Sequence, residues 1–363
     1  MATFLTIEKL SKSYGRQTIF DSADLSVNEK QKIGVIGRNG AGKSTLFKII
    51  VGEEQPDSGG VFLHSVARLG YLQQHEIIDS AQTILQFLEN VSGREQWRCA
   101  QTAYKFGLTK DFLTKKIAEL SGGYLMRLKL TVMLLAEPNI FLLDEPTNFL
   151  DVHTQLLLER FLVDYNGAYL IVSHDREFLK RTCEQTLEVE KGKLFFYPRP
   201  IDEYLQYKDE RLAFAKLYNK KIDREQKHLQ AFVDRFRYKA SKAKQAQSKI
   251  KAIERLEKID VDERLERVRI QIPGVEYKKG NLFRTENLSI GYENKIVAQN
   301  INLDLDKGEK VAVVGDNGQG KTTLLKTLAG ELKALSGNIK WSYGLKLAYY
   351  AQHVPAQLNF KEK

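Results

Sequence analysis

The run Gly37-Arg38-Asn39-Gly40-Ala41-Gly42-Lys43-Ser44 has the pattern G-x-x-x-x-G-K-[ST]. Glycines at Gly37, Gly40 and Gly42 let backbone N–H groups close around phosphate oxygens, with Asn39 carried in the same loop. Lys43 reaches the β- and γ-phosphates, and Ser44 offers a hydroxyl to Mg²⁺. Such a loop works only between a strand and a helix, because the helix N-terminus adds a partial positive charge. Both neighbours are legible: 31–36 is an apolar strand-like run, and 45–51, opening on Thr45, has helical spacing. Further along, Ile140-Phe141-Leu142-Leu143-Asp144-Glu145 ends a buried-strand pattern in two carboxylates. Asp144 is placed to hold the metal, and Glu145 to act as general base toward water.

The elements that must position these residues read as α/β. Apolar strands end in polar loops at 31–36, 140–143 and 169–172, which puts functional side chains at the carboxyl ends of buried parallel strands. Comparing the chain with itself gives one ungapped offset of 278 residues, carrying Tyr14 onto Tyr292, Gly37 onto Gly315, Lys43 onto Lys321, Gly59 onto Gly337 and Gln74 onto Gln352. The offset yields a second phosphate loop with Gly315, Asn317, Gly318, Gly320, Lys321, Thr322 and Thr323, Thr322 matching Ser44 as a metal ligand. A repeat of this length means duplicated domains and not a solenoid. The expected organisation is a first copy over 1–200, a basic helical linker over 201–273 and the N-terminal part of a second copy over 274–363.

No apolar run approaches the roughly 18 to 20 residues of a membrane helix, and the first dozen residues alternate like a strand instead of resembling a signal peptide. A soluble, cytoplasmic protein with no membrane partner is the expectation. The two cysteines, Cys99 and Cys183, have no metal-ligand spacing, which argues against a disulfide framework or structural zinc. The formal charge of +10 permits a polyanionic partner.

Leu120-Ser121-Gly122-Gly123, lying 24 residues before Glu145, resembles the signature loop of the ATP-binding cassette family, and a P-loop cassette fold is what the resemblance implies. By that resemblance Tyr14 and Tyr292 stack on adenine, and Gln74 and Gln352 sense Mg²⁺ and the γ-phosphate. Ser121, Gly122 and Gly123 meet the γ-phosphate of a facing domain, Asp151 crosses between cassettes, and His174 in Val172-Ser173-His174-Asp175 is the histidine switch. His64, His75, His153, His228 and His353 keep a structural reading.

Between the copies, 205–258 holds sixteen Lys or Arg against seven Asp or Glu. Its basic stretch includes Arg235, Arg237, Lys239, Lys242, Lys244 and Lys249, interleaved with Phe236 and Tyr238. Leu217, Leu229, Phe232 and Val233, then Ile250, Ile253 and Leu256, predict two antiparallel helices burying one apolar stripe, with the basic residues near the tip. This arrangement resembles the ABC-F family, tandem-cassette ATPases whose linker enters the ribosome and touches peptidyl-site tRNA. The resemblance implies ATP and Mg²⁺ as ligands, with rRNA and tRNA as partners. Phe149 stands where that family typically has His, and only 46 residues separate Gln74 from Ser121, too few for the large arm some members insert there. The alternative is an ATPase subunit of an ABC transporter, which explains neither the tandem repeat nor the basic linker; a chromosome-associated ATPase would carry longer coiled coils.

The implied mechanism is closure of two cassettes on two ATP molecules, each held between one phosphate loop and the other domain's signature loop. In the first copy His174 lies 131 residues beyond Lys43, whereas 42 residues follow Lys321. The expectation is therefore a C-terminally incomplete second cassette with uncovered apolar surface, and an ATPase weakly active unless two chains self-associate through their first cassettes.

Overall fold

The computed structural model describes residues 2–72, 81–120, 122–148, 150–236, 243–259, 280–293, 295–315 and 318–351. Gln74, Ser121, Phe149, Arg237, Lys239, Lys242, Asn317 and Gln352 lie outside the described residues. The chain forms two compact units, one built from 1–73, 138–146 and 166–271, the other from 74–137, 147–165 and 272–363.

In the first unit, β1 (Thr3–Tyr14) pairs antiparallel with β2 (Gln17–Asn28) and with β4 (Ser58–Leu63). A second sheet is ordered β5-β6-β7-β3-β8-β9, formed by β3 (Lys32–Gly37), β5 (Leu69–Leu72), β6 (Ile140–Asp144), β7 (Ala168–Val172), β8 (Gln185–Glu190) and β9 (Lys193–Tyr197). All its pairings are parallel except that of β9. Every residue of β6 and β7 is buried, which is why both read as unbroken apolar runs instead of alternating ones. The core lies between the two sheets and α1 (Lys43–Val51), where Leu5, Phe20, Ile33, Val35, Leu46, Phe47, Leu142 and Leu170 are each fully buried. At about 1.5–3 kcal/mol per large apolar side chain, this burial fixes α1 and hence the loop before it.

The unit continues into α8 (Ile201–Phe236), a helix of 36 residues, and α9 (Ala243–Glu254). The root of α8 is fastened to β8. Tyr204 Oη donates to Glu188, and Lys208 Nζ lies 2.7 Å from Glu188 Oε1 and 2.7 Å from Glu190 Oε1. The Asn219 side chain accepts from the Ile259 N–H at 2.9 Å and donates to its carbonyl at 2.8 Å, so the chain after α9 has come back to the middle of α8. The two helices thus form an antiparallel hairpin. Of the expected stripe on α8, Leu229 and Val233 are buried and Phe232 is half-buried; Ala215 and Ile222, which the expectation did not include, extend the buried face. Leu217 is a correction to that stripe: it is 70% exposed, because two residues from Ala215 turn it about 200° around the helix. Ile250 is likewise exposed.

In the second unit, α2 (Ile84–Ser92), α3 (Gln96–Lys105), α4 (Lys110–Leu113) and α5 (Gly122–Leu135) share a core of Ile84, Leu88, Cys99, Ala103, Leu108, Leu113, Leu128 and Leu135. Thr83 and Gln86 cap α2 reciprocally. This unit also holds α6 (Val152–Asp164), and Phe161 meets Phe106 edge-on at 5.7 Å.

The second copy supplies β10 (Asn281–Tyr292), β11 (Lys295–Ile301), β12 (Asp304–Asp306), α10 (Lys321–Leu328) and β13 (Ser336–Trp341). Its antiparallel sheet repeats irregularities of the first: Lys9 and Ser22 have φ of 46° and 48°, and their counterparts Asn287 and Asn300 have 48° and 59°. A Cβ on Gly59 would meet the Lys9 carbonyl at 2.3 Å, and one on Gly337 the Asn287 carbonyl at 2.3 Å, so both strand crossings demand glycine. The parallel layer is not repeated among the described residues. Val311 and Val314 are 63% and 78% exposed and carry no strand ladder, whereas Ile33, the counterpart of Val311, is fully buried between β7 and β8.

Candidate nucleotide site

The loop 38–42 leaves β3 and enters α1 through Gly42, whose φ is 105°. A Cβ there would stand 2.4 Å from Ile19 Cγ2, so both the backbone angle and the close approach of β2 require glycine. Gly37 and Gly40 also take positive φ, 155° and 78°. Lys43 Nζ donates to the carbonyls of Gly37 at 2.9 Å and Arg38 at 3.1 Å, which curls the loop around its own ammonium group. The first ladder bond of α1 is Leu46 N–H to the Gly42 carbonyl, and Gly42 offers no side-chain cap. The N–H groups of Lys43, Ser44 and Thr45 therefore precede the ladder, the arrangement that receives an anion.

Asp144 and Glu145 follow β6, both buried, and Glu145 adopts φ of 49°. A left-handed conformation at a non-glycine residue is strained, and here the Glu145 N–H is pinned to the Val172 carbonyl at 2.9 Å. Glu145 Oε2 accepts the backbone N–H of His174 at 3.2 Å, and Oε1 lies 3.3 Å from His174 Nε2. The second contact lacks hydrogen-bond geometry, so it is an ion pair only when the imidazole is protonated; otherwise Oε1 is a buried acceptor that no protein donor satisfies. Burial pushes the Glu145 carboxyl above its usual range, His174 and Lys43 oppose the rise, and Asp144 adds to it. Desolvation lowers Lys43, while Glu145 and Asp144 hold it up.

The uncapped helix turn and the enclosed lysine fit a phosphate chain, whereas the unsatisfied carboxylate oxygen of Glu145 is an acceptor that fits the O–H of a water beside it. The described residues contain no group of three or more His, Cys, Asp or Glu able to hold a metal. Ser44 and Asp144 are the oxygen donors that could hold a Mg²⁺, an ion that takes one or two ligands from the protein.

Tyr14 ends β1, the residue 47% exposed and its hydroxyl bonded to Glu54. The first unit thus gathers Gly37, Gly40, Gly42, Lys43, Ser44, Thr45, Asp144, Glu145 and His174, with Tyr14 on the same unit. Asn39 lies in the same loop. Gly122 and Gly123 belong to the second unit, where they open α5. There Arg127, buried, donates from Nε to Thr154 Oγ1 at 2.8 Å and reaches Asp151 Oδ1 at 3.7 Å; Asp151 in turn caps α6 by accepting the Thr154 N–H at 2.7 Å. Arg127 also covers the Tyr124 ring at 4.8 Å, and Tyr124 stacks on Phe112 at 4.1 Å.

In the second copy Gly315, Gly318 and Gly320 take φ of 153°, 86° and 89°, and Lys321 Nζ donates to the Gly315 carbonyl at 2.6 Å, the same closure as at Lys43. Thr322 and Thr323 lie in the first turn of α10, and Tyr292, 53% exposed, ends β10.

Sequence reasoning missed the anchorage of Tyr14 by Glu54 and of Asp151 by Arg127. Glu54 is 40 residues from Tyr14, and only the pairing of β1 with β4 after α1 brings that segment alongside.

A family model described as ABC transporter matches residues 20–148 and again 298–360, and a second model of that description matches 187–271. The chain is 32% identical over 372 residues to "Probable ATP-binding protein YheS" of Escherichia coli strain K12, covering 93% of this chain and 58% of that protein. It therefore spans less than two thirds of that relative. It is 31% identical over 394 residues to "Probable ATP-binding protein YbiT" of Escherichia coli O157:H7, covering 96% of this chain and 73% of YbiT. A solved structure described as "Structure of ATP binding subunit of ABC transporter" superposes with a TM-score of 0.50 at 21% identity, covering 55% of this chain and 91% of that one, which speaks to fold alone. With the α/β phosphate-loop fold in place and the match falling on both copies of the repeat, this chain belongs to the ATP-binding cassette family of ABC transporter ATPases.

Proposed function

We propose that the chain is an ABC-F-type ATPase acting in the cytoplasm, whose hairpin α8–α9 offers a basic surface to ribosomal and transfer RNA. The observation that carries this reading is where the hairpin is rooted. Glu188, which receives Tyr204 and Lys208, stands opposite Ile36 in the β3–β8 register, one residue before Gly37. The hairpin thus springs from the strand beside the phosphate loop. Along it Arg235, Lys244 and Lys249 are exposed, ready to pair with phosphates. Among the described residues no helix is long and apolar enough to cross a membrane.

In the nucleotide site, Lys43 and the N–H groups of the loop would bind the phosphates, and Ser44 and Asp144 would hold Mg²⁺. When bound, the metal neutralises phosphate charge. Glu145 accepts the proton of the water that attacks the γ-phosphorus while the bond from that phosphorus to the β–γ bridging oxygen breaks and ADP leaves, and His174 orients the Glu145 carboxylate.

Sucrose-gradient sedimentation with ribosomes tests the reading. Association that rises with a non-hydrolysable ATP analogue is the expected result. Cofractionation with membranes, and none with ribosomes, would replace it with a transporter ATPase subunit.

A further inference from the structure

The residues around Tyr14 form a built cluster that the phosphate chemistry does not use. The Tyr14 hydroxyl donates to Glu54, which follows α1 in the chain. Glu54 is in turn ion-paired with Lys12 at 3.2 Å, their side chains only 22% and 13% exposed. Lys12 Nζ further donates to the Gln55 carbonyl at 2.7 Å and stands 5.4 Å from the centroid of the Tyr14 ring. Asp57, 3.7 Å from Lys12, accepts the Ser13 N–H at 2.7 Å. The hydroxyl is thereby anchored at one end of an aromatic ring that otherwise turns freely about two torsions, and a cation sits against that ring.

The internal repeat supplies the control. Tyr292 repeats Tyr14, but the positions of Lys12, Glu54 and Asp57 are taken by Ile290, Leu332 and Leu335. Even so, β10 follows the course of β1, with the same length and the same left-handed residue at the crossing. The cluster is therefore not what shapes the strand. What it does fix is the direction of one ring.

We propose that Glu54, locked by Lys12, is a positioning residue that holds the Tyr14 ring in the plane on which a purine base stacks. This rests on the reading of Tyr14 as the base platform. Orienting the ring before the nucleotide arrives removes part of the ordering cost of binding, and the gain depends on the base alone. A ligand with the same phosphates and no base should not feel it.

The test is calorimetric titration of the chain carrying Lys321→Ala, which confines binding to the first loop, with Mg-ATP and with magnesium tripolyphosphate. Tyr14→Ala should weaken ATP roughly tenfold, as loss of a base-stacking aromatic does, and leave tripolyphosphate unchanged. Glu54→Ala should weaken ATP by about three- to fivefold, a fraction of the stacking loss, also without effect on tripolyphosphate. Glu54→Gln, which keeps an acceptor for the hydroxyl, should restore much of the loss. Glu54→Ala added to Tyr14→Ala should cost nothing more, since the ring it positions is gone. ATP affinity unchanged in Glu54→Ala but reduced in Tyr14→Ala would overturn the proposal. Equal losses for both ligands would do the same, by showing a disturbed fold. Unchanged ATP affinity in Tyr14→Ala would instead remove the base-platform reading beneath it.

Discussion

The carboxylate of Glu145 meets His174 twice, through the backbone N–H at 3.2 Å and through Nε2 at 3.3 Å, while its own backbone is held at φ of 49°. The base candidate and the switch candidate are thus one unit in this state, although 29 positions separate them in sequence. Burial raises the Glu145 pKa, and the contact with His174 lowers it. A general base works deprotonated, so the acid limb of turnover should lie above the ordinary carboxylate range of about 4.3. Removing His174 removes a lowering influence, and the limb should move to higher pH in His174→Ala. A pH–rate profile that stays put or shifts downward would separate the two residues functionally.

Lys43→Ala should weaken ATP binding at least about tenfold, because charge-assisted hydrogen bonds to phosphate contribute roughly 1.5–3 kcal/mol. Equilibrium titration with a fluorescent ATP analogue measures it, with Lys321→Ala introduced alongside to silence the second loop. Affinity within twofold of the parent would place the phosphate elsewhere.

Thr154→Val takes the nearest acceptor from a buried guanidinium. The loss should be about 1–3 kcal/mol, visible as a lower Tm. Adding Arg127→Met should then cost less than it does in the parent, since the guanidinium has already lost its Thr154 acceptor and keeps only Asp151 at 3.7 Å and the Tyr124 ring. Additive losses would show that Arg127 and Thr154 do not act together.

Changing Lys239, Lys242 and Lys244 together to Glu should weaken ribosome binding and flatten its dependence on salt, because fewer counterions are released. Binding measured from low to high salt with an unchanged slope would reject the hairpin as an RNA contact.

Much of this was legible in sequence because the signals are local. The phosphate loop needs glycines, a strand and a helix within about twenty residues, and β6 needs only to be apolar and end in acids. The 278-residue offset likewise exposed the duplication without structural help. Contacts set by tertiary pairing were not legible. Nothing near Tyr14 announces Glu54, and nothing near Arg127 announces Thr154, since each pair is assembled by elements distant in the chain. The apolar stripe of the hairpin is narrower than helical spacing alone implies, since Leu217 and Ile250 both face solvent.

Glu145→Gln gives the most direct measurement. The substitution keeps the shape of the side chain and an acceptor for the His174 N–H but cannot take a proton from water. ATP affinity should stay within about threefold of the parent, while turnover falls by roughly 10² or more, the usual contribution of a general base. Turnover within twofold of the parent, at unchanged affinity, would contradict the assignment of Glu145 and with it the hydrolytic site built around Lys43.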